Sequence, residues 1–192
     1  MKTLRFICAA LIATCLLSCS NDLSETLDEE NLIEIQSRAM LPSFVPAEYQ
    51  DNVVLTQELH RLYRVVKDME TLEDVTAAGW TEDLTGYLPN MGNHYANMKF
   101  LSDGKFKIHK PETILVGCTA DGNYKAVGVE YIVPGDPGVA PEGFSGEWDA
   151  WYYIDGVGWT LHVWLLYENP DGLFYATNSN VALENNCTGS ED

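Results

Sequence analysis

His94, Glu130 and His162 are the residues whose types and settings could do chemistry together. Each lies in a short stretch with strand-like alternation, in which successive side chains point to opposite faces. Over 124–133, Val127, Val129, Tyr131 and Val133 form one face, and Ala126, Gly128, Glu130 and Ile132 the other, so Glu130 sits among small side chains. His162 shares a face with Thr160 and Trp164, opposite Leu161, Val163 and Leu165, while His94 shares one with Ala96 and Met98. If these faces line one hollow, two imidazoles and a carboxylate converge in space that Ala and Gly leave open. Glu112, just before another strand, adds a second carboxylate.

Neutral imidazole and carboxylate suit borderline divalent cations and leave coordination positions free, so the cofactor such a set would take is a metal such as Zn, Fe(II) or Mn. Without a metal, Glu130 and a neighbouring histidine make a general-base pair. In a purely structural role each histidine is hydrogen-bonded in the core and Glu130 pairs with one of them. No His-Glu-x-x-His or Cys-x-x-Cys spacing decides between these, and no residue is assigned a catalytic role. His60 reads as a boundary residue on a helix, and His109, beside Lys107 and Lys110, as an exposed loop residue.

A different kind of site is suggested by 134–158, a proline- and glycine-rich insertion carrying Trp148, Trp151, Tyr152 and Tyr153. Loops of that length are usually functional or disordered, and the aromatics argue against disorder. Their faces could stack on sugar rings or a protein partner, making the chain a surface binding module.

The elements that must position these residues follow from periodicity. Leu55, Leu59, Leu62, Val66 and Met69 recur at helical steps and predict one helix over 47–69, with Pro46 at its start. Thr71 is placed to cap a second, shorter helix that has Glu73 and Asp74 in its first turn and Gly79 near its end. Strands are expected at 93–100, 113–118, 124–133, 159–167 and 173–177, with Asp121-Gly122-Asn123 turning the second into the third. Helices first and strands afterwards predict an α+β domain, its helices packed on an antiparallel sheet or partly closed barrel. The same order, without a Gly-rich phosphate loop, excludes a doubly wound nucleotide-binding fold.

The N-terminus reads as an address. Lys2 and Arg5 precede an apolar run that ends at Leu16-Leu17-Ser18-Cys19, the layout of a secretory signal closed by a bacterial lipobox. Residues 1–18 are then a signal peptide, Cys19 carries diacylglycerol and a palmitate-type acyl chain, and 19–46 is an acidic tether ahead of a single domain over 47–192. Such chains anchor a protein durably. Ser20 after the lipidated Cys points to the outer membrane or cell surface, and Ser20-Asn21-Asp22 followed by acids resembles lipoproteins of the Bacteroidota. Loss of Lys2 and Arg5 takes the formal charge from −18 to −20. So acidic a chain repels phosphate backbones, which excludes nucleic acid as a partner and leaves the membrane, through the anchor, and a small molecule or glycan. Of five cysteines, Cys8 and Cys15 leave with the signal and Cys19 is lipidated; Cys118 and Cys187 remain, an even pair that an oxidising envelope invites into a disulfide. The rival reading is a catalytic Cys118 thiol with a histidine base, which would have to stay free outside the cytoplasm.

Several segments, in order, resemble an uncharacterised family of exported bacterial proteins: Met91-Gly92-Asn93-His94-Tyr95-Ala96-Asn97, Pro111-Glu112, Val129-Glu130-Tyr131, Leu161-His162-Val163-Trp164 and Asn169-Pro170-Asp171-Gly172-Leu173-Phe174. The resemblance spans about 75–187 and implies that His94, Glu112, Glu130 and His162 are the family's shared polar positions. It names no reaction. The family carries a Cys shortly before the Met-Gly segment where this chain has Leu88-Pro89-Asn90, so a bridge from that position is excluded here and Cys118 stands as the substitute partner of Cys187.

Overall fold

Leu55, Leu59, Leu62 and Val66 are buried along one side of a helix, as their spacing requires, but the helix is shorter than periodicity suggests. A computed structural model describes residues 41–187; the signal segment, Cys19 and the tether up to residue 40 lie outside the described residues. A single turn, α1 (Ala47–Gln50), stops before α2 (Val53–Val66) begins. The break is at Asn52, whose extended backbone leaves the helix and whose side chain accepts from Leu55 N at 3.1 Å. An Asn at that position satisfies an otherwise unpaired amide and so starts a new helix rather than continuing the old one. After α2, α3 (Leu72–Ala77) opens with a capping box in which Thr71 and Asp74 bond reciprocally.

Among the described residues six antiparallel strands form one open sheet, so the domain is α+β and the sheet does not close into a barrel. They are β1 (Glu82–Asp83), β2 (Asn93–Ala96), β3 (Thr113–Cys118), β4 (Tyr124–Val133), β5 (Tyr152–Ile154) and β6 (Gly158–Val163), in the spatial order β1-β2-β3-β4-β6-β5. The β3–β4 hairpin turns through Asp121-Gly122-Asn123, with Gly122 at φ 82°. Beyond β2 the chain does not stay extended to residue 100: the Asn97 side chain accepts from Lys99 N and starts the short helix α4 (Met98–Leu101).

The sheet has two unlike faces. One, with Ile114, Val116, Val129, Tyr131, Leu161 and Val163, packs against α2 and α3 in the main core. Leu41 and Val45 join that core, so residues 41–46, expected to be tether, are part of the folded domain. Phe144 and Trp151 also pack there, which anchors the insertion. Leu115, Val127, Trp164 and Val181 form a smaller cluster on the other face. Val127 was expected beside Val129. A bulge opposite Leu115 and Val116 adds one residue to β4, which moves Val127 to the second face and Ala126 to the first.

Residues 173–177 form no strand. Trp164 N donates to Leu173 O at 2.9 Å and Asn169 Nδ2 to Thr177 O at 2.9 Å, so the chain after β6 closes into a compact loop. Its end is held by the Cys118–Cys187 disulfide. No helix among the described residues is long and apolar enough to cross a membrane.

Candidate functional site

Sheet register brings the three residues together. Glu130 pairs with His162 across β4 and β6 and with Thr113 across β4 and β3, while His94 reaches in from β2, where it pairs with Leu115. Directly opposed residues in a sheet share a face, so all of these point away from the helices. His162 Nε2 lies 3.4 Å from Glu130 Oε1 and His94 Nε2 lies 3.9 Å from Glu130 Oε2. The three candidate ligand atoms fall within 4.8 Å of one another, and all three residues are buried.

Both imidazoles are oriented from behind. His162 Nδ1 is 2.5 Å from Ala176 O. A carbonyl only accepts, so Nδ1 carries the proton and Nε2 of the neutral ring presents a lone pair. His94 Nδ1 is 3.1 Å from Thr85 Oγ1, whose own proton goes to Gly86 O at 2.7 Å. The hydroxyl is therefore the acceptor, and His94 Nε2 is also left with a lone pair. Both lone pairs face a carboxylate. His162 Nε2 has no hydrogen-bond partner, and the contact with Glu130 becomes a hydrogen bond only if that nitrogen gains a proton.

Burial pulls the His94 imidazole below its ordinary pKa against the charge of Glu130, which favours the neutral, ligating form. Burial alone would raise Glu130. Positive charge on the imidazole side, at His162 first, and the Thr113 hydroxyl at 3.1 Å outweigh it and hold the carboxyl below its usual range, so this lowering accompanies a proton or other cation at the two Nε2 atoms and is lost when both are bare.

Glu112 does not join this group. Thr113 faces Glu130, so Glu112, one residue earlier, points to the helix-packed side, where its Oε2 accepts from Ile132 N at 3.1 Å. Its Oε1 has no hydrogen-bond partner, and burial pushes its pKa up to about 8.

The polar trio lines a cavity of about 420 Å³ whose walls are otherwise largely apolar and include Leu84, Leu88, Met91, Ile132, Ile154 and Val157. Two of these come from β5 and the turn after it, inside what the sequence presents as an insertion. Of the four aromatics there, only Tyr152 and Tyr153 line the cavity. Trp148 packs edge-on against Tyr49 at 4.9 Å between ring centroids, Trp151 meets Phe106 at 5.8 Å, and Tyr153 meets Trp159 at 5.5 Å. The four share no common platform: Trp148 and Trp151 pack on Tyr49 and Phe106, and only the two tyrosines meet at the cavity.

Three contributors escaped sequence reasoning. Thr113 could have been found by carrying the hairpin register across the 121–123 turn to Glu130. Thr85 and the Ala176 carbonyl carry no local signal, since each acts through a loop conformation. No family model, curated protein or solved structure matches the chain.

Proposed function

We propose that the chain is a lipid-anchored envelope protein whose domain holds one divalent transition metal, Zn or Fe(II) in type, on His94, Glu130 and His162, and offers the metal's open positions to a small ligand. The supporting observation is the convergence of two Nε2 lone pairs and a carboxylate, with both Nδ1 protons already committed outward. Facing acceptors in a buried site are costly unless a proton or a metal cation lies between them, and a metal serves both imidazoles and the carboxylate at once. Ligand atoms on one ion with bonds near 2.1 Å stand about 3.4 Å apart at the tetrahedral angle; here His162 Nε2 is 3.4 Å from Glu130 Oε1, His94 Nε2 is 3.9 Å from Glu130 Oε2, and all three ligand atoms lie within 4.8 Å of one another, so the side chains must draw together to complete the set. Backing of each ligating imidazole by an oxygen acceptor is the usual companion of such sites. The metal would polarise a bound ligand or water.

Calorimetry on tag-free protein prepared without chelator tests the metal. One equivalent of Zn is expected, and a His94→Ala/His162→Ala double variant should bind more than about 100-fold more weakly, beyond the cost typical of losing an outer partner. Equal, negligible binding in both proteins would reject the metal. The anchor rests on the basic-apolar-lipobox order of residues 1–19 and on the resemblance to exported proteins. Cys19→Ala should move the protein from the membrane fraction to the soluble one, and unchanged partitioning would count against lipidation.

A further inference from the structure

We infer that the ligand of this site is a small apolar monoanion, with a single acidic head such as a carboxylate, and that it binds only to the metal-loaded protein. This rests on the metal reading above and adds the ligand's chemical class to it.

Volume sets the size. At about 30 Å³ for each water-sized group, the cavity of about 420 Å³ has room for roughly a dozen such groups. Shape and polarity set the layout. The ionisable lining is confined to the mutually adjacent Glu130, His94 and His162, while Leu84, Leu88, Met91 and Ile154, with a few threonine and tyrosine side chains, make the rest of the wall largely apolar. A molecule that satisfies both has one polar head and an apolar body.

Charge decides which head. Among the residues lining the cavity there is no lysine or arginine, and Glu130 is the one carboxylate. Asp83, whose charge also acts on His94, makes the surroundings more negative still. Without a cation the hollow therefore repels anions, as does the chain's net charge of −18. A divalent ion held by Glu130 and two neutral imidazoles leaves one positive charge, and one negative head neutralises it. A neutral ligand would leave that charge uncompensated beside largely apolar walls, and a dianion would overshoot it.

Three eight-carbon probes separate these cases: octanoate, its neutral amide octanamide, and the dianion suberate. Each is titrated calorimetrically into the full chain carrying Cys19→Ala, with and without one equivalent of Zn. Octanoate should bind the Zn form at least about tenfold more tightly than the metal-free form, and at least about tenfold more tightly than either other probe, a difference of about 1.4 kcal/mol or more. Ile154→Asp replaces a wall residue that is 47% exposed on the edge strand, so the fold is not at stake. It should abolish octanoate binding while leaving Zn binding unchanged. Octanoate that binds equally without Zn, or octanamide or suberate that equals it, overturns the inference. Zn binding with no octanoate binding overturns the inference alone. Absence of Zn binding overturns the metal reading and, with it, this one.

Discussion

At the scale of single residues, the groups behind the imidazoles matter as much as the imidazoles. Thr85 is exposed, yet its hydroxyl, together with the Gly92 backbone, bears on which nitrogen of His94 carries the proton. Thr85→Val keeps the shape and removes the acceptor, and should weaken Zn binding about 10- to 100-fold by calorimetry with little change in stability. Unaltered affinity would show that the tautomer is set elsewhere. Glu112 gives a separate pH signature. Its pKa rises from 4.5 to about 8 on folding, so between those values the folded state holds a proton that the unfolded chain has released. Its contribution to stability is complete below pH 4.5 and is lost as pH rises toward 8. Urea denaturation should show wild type losing stability relative to Glu112→Gln across that window, by at most about 1.4 kcal/mol per pH unit. Parallel profiles would refute the shift.

Among the elements, Gly92 turns the chain into β2 and so sets the register that carries His94. It sits at φ 86°, and a Cβ there would lie 2.3 Å from Val116 O, so backbone would have to move. Gly92→Ala should destabilise the domain by more than the roughly 1–2 kcal/mol of a left-handed alanine and also lower Zn affinity, since β2 shifts away from β3. A melting curve and a Zn titration equal to wild type would contradict this. Legibility differed among the elements for physical reasons. β3, β4 and their turn were readable because alternation and Asp-Gly chemistry are local. The one-residue bulge at Val127 was not, because it is a property of the pairing rather than of either strand. β1 has two residues and β5 three, too few for a period to appear, and the loop over 164–178 depends on long-range carbonyl contacts. The three-residue cluster could therefore be assembled from strand faces, whereas Glu112 could not be assigned its face without the exact start of β3.

For the molecule as a whole, the Cys118–Cys187 bridge spans 69 residues and fastens the segment whose Ala176 carbonyl orients His162. Closing a loop of that length contributes roughly 4 kcal/mol by restricting the unfolded chain. Reduction should lower Tm by about 10 °C in a thermal melt. Full reduction, confirmed by thiol titration, with an unchanged melt would show that the bridge is incidental. Larger still is the division between the two faces of the sheet. Ile114, Val129, Tyr131 and Leu161 meet the helices on one side, while His94, Glu130 and His162 occupy the other. The fold is thus secured by side chains that the hollow does not use. For protein engineering the sheet is a two-sided board: the ligand set and the apolar walls can be rewritten on one side while the helix-packed core and the smaller Leu115, Val127, Trp164 and Val181 cluster are kept, and descendants of this chain can change what they bind without first losing their shape.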